Sequence, residues 1–246
     1  MNQENKKYLA FILVALILAG GLITSTYLAV RGLIEIKGNT SITVTGSAKQ
    51  QLKSDLIVWR GSFSCQSPTM AEAYVRLKES SDKVRKYLVS KGIGDDELVF
   101  TSIDTSPIFE VNINGQYTNN LLGYRLQQQV EISSADVDRI SQISREATEL
   151  INEGVEFQSF PPQYFYTKIA DLKVSMLAEA TKDAKNRAEQ IAQNTGSSIG
   201  TLKSAKMGVF QITPLYSTEV ADYGINDTSS IQKEITAVVT CTFELK

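Results

Sequence analysis

The chain has 246 residues, 25 basic and 27 acidic, giving a net charge of −2. That balance leaves no electrostatic footprint for nucleic acid or for an anionic membrane surface. Histidine is absent and only Cys65 and Cys241 are present, which removes the usual general base, the commonest transition-metal ligand and any four-thiolate site within one chain.

The first element is Tyr8 to Val30, a run without a charged residue, preceded by Lys6-Lys7 and closed by Arg31. Roughly 20 predominantly apolar residues suffice to span a bilayer as a helix. The stretch is expected to be an uncleaved signal-anchor. A cleaved signal peptide has a shorter apolar core of about 7 to 15 residues and a small-x-small site, and Thr24 to Val30 offers no clean one. Lys6 and Lys7 favour an inside N-terminus, Arg31, Lys37, Lys49 and Lys53 partly balance them, and the short tail decides the orientation. The expected order is a cytoplasmic tail at 1–7, the span at 8–30, a linker at 31–39 and a folded domain at 40–246 outside.

Beyond residue 40 strands and helices alternate. Ser41 to Thr45 is a short β-branched run. Leu56 to Cys65 alternates with Ile57, Trp59, Phe63 and Cys65 on one face. Ser67-Pro68 reads as the start of a helix running to about Lys91, with Met70, Tyr74, Leu77, Val84 and Leu88 as its stripe. Strands follow at Glu97 to Phe109 and Leu122 to Ile132. Ser134 then opens a helix that Gly154 ends.

A strand at Val155 to Tyr166, interrupted by Pro161-Pro162, suits an edge. A long helix covers Thr167 to about Asn194, and strands cover Thr201 to Thr213 and Ile231 to Leu245. The expected class is α+β: a two-fold repeated β-α-β-β unit with antiparallel sheets, in halves of about 40–153 and 154–246. In each half a long polar segment joins the last two strands, Ser106 to Asn120 and Pro214 to Ser230. Structureless loops above about 12 residues are usually functional or disordered, so Tyr117, Tyr216 and Tyr223 within them are candidate interface residues.

The segments Ile42 to Gly46 followed by Asp55, Gly123 to Val130, Lys173 to Thr195 with Gly196 and Ile199-Gly200 after it, and Ile235 to Phe243 together resemble the SIMPL domain. The resemblance covers nearly all of residues 40–246 in order. It implies a bacterial, periplasmic setting, and a family that includes a protein linked to oxidative-stress defence and an immunogen that forms large rings. It implies no catalytic residues. With the anchor, it places the chain in the bacterial inner (cytoplasmic) membrane with its domain on the periplasmic side.

Other constellations read as ordinary surface or core. Asp95-Asp96-Glu97 offers hard oxygen ligands but follows Gly92-Ile93-Gly94, as a solvated turn does. Ser204 and Lys206 share a strand face without a supporting third group. The charges of Thr181 to Gln193 are an exposed helix face. Cys65 and Cys241 are small core residues, a structural bridge if their Cα atoms lie within about 4.4 to 6.8 Å, or a redox pair.

No catalytic, cofactor-binding or metal-ligating residue is assigned and no cofactor is expected. The leading expectation is a non-enzymatic, membrane-anchored homo-oligomer that contacts other envelope proteins and no nucleic acid. The alternative is a monomeric or dimeric binding module, with Trp59 or the loop tyrosines lining an apolar pocket.

Overall fold

A computed structural model describes residues 3–37 and 40–246. The first element is helix α1 (Gln3–Lys37), whose stretch Ile12–Gly32 is long and apolar enough to cross a membrane by length and composition. Two threonines in that stretch bond back to the helix's own carbonyls. Thr26 Oγ1 donates to the Leu22 carbonyl at 2.8 Å and Thr24 Oγ1 to the Gly20 carbonyl.

The class is α+β, and the chain divides into two compact units that β1 (Ser41–Lys53), α4 (Ile169–Asn194) and β11 (Gln232–Leu245) each pass between. The larger unit holds residues 49–176 and 209–237. Its centre is β2 (Leu56–Ser67), antiparallel along one edge to β5 (Tyr117–Ser134). The far edge of β5 carries β3 (Leu98–Phe100) and β4 (Asp104–Val111), while the other edge of β2 carries β6 (Glu156–Ser159) and β7 (Gln163–Phe165).

The alternation in β2 turns Ile57, Trp59 and Phe63 inward, where α2 (Met70–Ser90) and α3 (Val137–Glu146) cover them with Leu77, Leu88, Ile140 and Ile143. Burying such side chains contributes roughly 1.5 to 3 kcal/mol each. The opposite face of this sheet is polar. Arg60 pairs with Glu131 at 2.6 Å, and Gln127 donates to Ser62 at 2.7 Å.

Helix starts fall slightly later than the sequence suggests. Thr69, not Ser67, caps α2 through Glu72 N, and Asp136, not Ser134, caps α3 through Arg139 N. Ser134 Oγ instead accepts from Asp136 N at 3.2 Å. After α3 a 3-10 turn, Ala147–Glu153, ends at Gly154 in the left-handed conformation with φ of 79°, as the glycine there predicts.

The smaller unit holds the early part of β1, the later part of α4, β8 (Ile199–Met207) and the end of β11. Here β11 pairs antiparallel with β8. Hydroxyl pairs Thr43–Thr242 at 2.9 Å and Thr45–Thr240 at 3.2 Å link β1 to β11. Ala180, Ala184, Ala188 and Ala192 recur every four residues and are buried, a stripe slim enough for close approach. Contact is closest at Gly46, where an added Cβ would sit 2.7 Å from the Ala184 Cα.

Strand pairing departs from two self-contained β-α-β-β halves. β6 and β7, from the second half, bind β2 of the first, while β1 from the first half pairs with the closing strand β11. The compact units likewise interleave 40–153 with 154–246. Alternation along a strand marks which face is buried but not which strand lies beside it, and short β6 and β7, broken by Pro161-Pro162, fit an existing edge.

The segment at Ser106 to Asn120 is not a loop. β4 and β5 continue through it as a twisted ribbon closed by Asn112 to Gln116, where Asn112 Oδ1 accepts from Asn114 N and Gln116 N, each at 3.0 Å. The expected strand at 97–109 is divided between β3 and β4, and that at 201–213 between β8 and β9 (Gln211–Pro214) at Gly208. Pro214 to Ser230 is a true long connection, holding only the short β10 (Ile225–Asn226), which runs parallel to β9.

Candidate functional site

One cleft of the larger unit has a volume of about 260 Å³ and a mixed polar and apolar lining. β7 and the residues after it supply Tyr164, Phe165 and Tyr166. The first two turns of α4 supply Ile169 and Lys173, one turn apart on one helix face. Phe210 and Ile212 come from the β9 segment, Asn226 to Thr228 from the end of the long connection, and Lys233 from the start of β11.

Lys233 forms the floor. It occupies the inward parity of β11, ahead of Ile235, Ala237, Val239 and Cys241, and only 2% of it is exposed. Its Nζ donates to the Tyr164 carbonyl at 2.9 Å and to the Asp227 carbonyl, and lies 3.7 Å from Asp227 Oδ2. Burial pushes the Lys233 ammonium below its ordinary pKa of 10.5, with Asp227 partly offsetting it.

Burial works to raise the Asp227 carboxyl, but hydrogen bonds outweigh it and hold the group below 3.8. Ser229 donates to Oδ1 through its hydroxyl at 2.6 Å and its amide at 2.9 Å, and Ser230 N donates to Oδ2 at 3.2 Å. Three acceptors surround the ammonium, so it is a brace between β7, β11 and the long connection. A nucleophilic amine needs a free lone pair, which this geometry does not offer.

The brace continues into the backbone. Tyr164 N donates to the Thr228 carbonyl at 2.8 Å and Asp227 N to the Ile212 carbonyl at 2.9 Å. Tyr164 Oη meets Ser141 Oγ of α3 at 2.9 Å. Nearby, Asp55 accepts from the Thr167 amide at 2.7 Å and hydroxyl at 2.8 Å, fixing the chain just before α4. At the mouth, Lys173 Nζ sits 5.5 Å from the centroid of the Phe210 ring.

The residues singled out in the sequence do not converge on this cleft. Tyr117 lies at the base of the ribbon turn, and Tyr216 and Tyr223 lie in the connection between β9 and β10; all three are exposed. Tyr216 adopts a φ of 65°, a left-handed conformation that an aromatic residue rarely occupies. Tyr223 borders a shallow depression with Val220 and Ile225. Trp59 is fully buried, its Nε1 donating to Ser159 Oγ at 3.0 Å; it belongs to the core and not to a pocket.

Cys65 and Cys241 are both free thiols and lie in different units. Cys65 Sγ contacts Ser80 Oγ at 3.4 Å, and burial raises the pKa of Cys241. Asp95 is engaged by Arg85, and Glu97 accepts from Gly94 N at 2.9 Å, which makes the acidic trio a structured turn. Ser204 and Lys206 stand on β8 opposite Thr242 and Thr240, exposed to solvent. No cluster of three or more histidine, cysteine or acidic side chains able to hold a metal ion occurs among the described residues.

Sequence reasoning missed Lys233. The signal was present, because residue 233 shares parity with Ile235 and Ala237 on a strand whose other residues on that face are apolar.

No curated protein matches the chain. Several solved structures align with it, among them two that each cover part of the chain. One is described as the crystal structure of AtUAH in complex with glyoxylate, with 16% identity over 54% of this chain and 32% of that one, at a TM-score of 0.21. The other is a putative amidohydrolase/peptidase from Burkholderia cenocepacia, with 14% identity over 56% and 34% of the two chains, at 0.20. The chain spans about a third of the length of either, and likenesses so low carry no argument. A family model, by contrast, matches residues 42–243, nearly the whole of the chain beyond the apolar helix. The chain therefore belongs to the SIMPL family, described as proteins of unknown function (DUF541).

Proposed function

We propose that the chain is a non-enzymatic envelope protein, held in the bacterial inner membrane by α1, whose periplasmic domain assembles with copies of itself. The observation that carries this reading is the β4–β5 ribbon. Its outer part exposes Phe109, Val111, Ile113, Tyr117, Leu121 and Leu122, an apolar surface of the kind that marks protein contacts.

The chemistry favours a second copy as the occupant. From Asp104 to Gly123 the ribbon carries the acids Asp104 and Glu110 and no basic residue; from Ile199 to Phe210 the β8 segment carries Lys203 and Lys206 and no acid. β8 exposes both faces, Leu202 and Met207 included, and its one strand partner among the described residues is β11. Pro107 removes an amide from the outer edge of β4 and makes that edge a poor strand acceptor. The ribbon of one copy would then meet the β8 edge of the next. Such a head-to-tail contact closes into a ring when its rotation permits.

Light scattering on the full chain in detergent tests the reading. A discrete multimer is expected, and Ile113→Asp together with Tyr117→Asp should reduce its mass. Lys206→Glu should weaken assembly and Glu110→Lys should restore it in the same chain. A single-chain mass at every concentration, or a multimer indifferent to both sets of changes, would overturn it.

A further inference from the structure

The floor of the cleft is electrically closed. Lys233 and Asp227 neutralise each other, and the remaining acceptors of Asp227 are filled by Ser229 and Ser230. What remains at the mouth is Lys173, which has no carboxylate within 4 Å among the described residues and lies over an aromatic ring instead. Asp171 is two residues from both Ile169 and Lys173, and so projects from the opposite side of α4. The first-turn amides of α4, a helix of 26 residues, add to the positive character of this end.

The walls have a different character. Phe210, Ile169 and Ile212 present apolar surface, and the side chains of Asn226 and Thr228 line the cleft with no hydrogen-bond partner among the described residues. A neutral floor, apolar walls, two uncommitted polar groups and one unpaired cation at the rim match a ligand with a flat apolar body and one negative charge. The volume of about 260 Å³ lies just below the usual range of roughly 300 to 1,000 Å³ for small-molecule sites, which limits the body to one or two rings.

We propose that this cleft binds a small aromatic carboxylate or an organic anion of similar shape. Lys173 meets the carboxylate, Phe210 and Ile169 flank the ring, and Asn226 and Thr228 fix its orientation. The site goes beyond the assembly reading and does not depend on it, because every lining residue belongs to one unit of one chain.

The test is calorimetric titration of 2-naphthoate into the full chain in detergent, with uncharged 2-naphthamide as the comparison. One site per chain is expected, with the amide about tenfold weaker or worse. Lys173→Gln and Phe210→Ala should each lower affinity about tenfold, while Lys173→Arg should retain most of it. Lys182→Gln, the same charge change elsewhere on α4, should leave binding unaltered. Thermal midpoints of the variants show whether each is folded. The absence of saturable binding, equal binding of the amide, or indifference to both Lys173→Gln and Phe210→Ala would overturn the proposal.

Discussion

Lys233 and Asp227 form a buried ion pair, with side chains 2% and 8% exposed and Nζ 3.7 Å from Oδ2. The pair joins the first residues of β11 to the end of the long connection, and the Tyr164 carbonyl brings in β7. It adds to the backbone bonds from Tyr164 N to the Thr228 carbonyl and from Asp227 N to the Ile212 carbonyl, and to the Gln211 side chain's bond to the Ala221 carbonyl, in holding the connection from Pro214 to Ser230.

Removing one partner of a buried pair leaves an uncompensated charge, a cost of about 3 to 5 kcal/mol. Lys233→Met and Asp227→Asn should each destabilise the protein by about 3 kcal/mol. The double substitution should cost less than the two singles combined, because neither charge is then stranded. Chemical denaturation of the four forms measures the coupling; additive effects would show that the two groups act independently.

The pH dependence of stability follows from the same pair. Asp227 is held below 3.8 in the folded chain, so its contribution is present above that value and is lost as pH falls through the folded pKa. Lys233 is lowered from 10.5. In the window just below 10.5 the unfolded chain therefore binds more protons than the folded one, and stability rises with pH there. Thermal melts of Lys233→Met should lie below those of the parent and should lack this rise across the alkaline range.

Gly46 permits α4 to lie against β1. A Cβ there would meet the Ala180 carbonyl, the Ala184 amide and, at 2.7 Å, the Ala184 Cα. Gly46→Ala should cost about 1 to 3 kcal/mol, the usual range for overpacking. Because the obstructing atoms are backbone, adding Ala184→Gly should not rescue it. Recovery of the thermal midpoint in that double variant would locate the clash in the side chain instead.

The two thiols should differ in reactivity. Cys241 is fully buried with its pKa raised by that burial, whereas Cys65 is partly exposed. Iodoacetamide should label Cys65 ahead of Cys241 in the native chain and both after unfolding, as peptide mass mapping would show. Failure of both thiols to label after unfolding until a reductant is added would instead indicate a bridge.

Much of this organisation is legible in the residues themselves. The uncharged run at Tyr8 to Val30 gives a helix, and the spacing of Ala180, Ala184 and Ala188 marks the buried stripe of α4. The alternation from Ile235 to Phe243 assigns the two faces of β11, and Gly154 marks the end of the 3-10 turn. These are local properties, fixed by the period of a helix or strand and by the steric freedom of glycine.

Partnership was decided by tertiary structure. The sequence presents Ser106 to Asn120 as a polar segment, and only its pairing across residues 104–127 makes it a ribbon. It offers β6 and β7 as parts of a second half, yet the open edge of β2 takes them. Lys233 could be placed on the inward face from its parity alone. That it is tolerated there depends on Asp227, six residues away, and on the Tyr164 carbonyl, 69 residues away. Periodicity specifies which way a side chain points; the neighbours it meets are set by which edges and faces are left to be satisfied once the chain has folded.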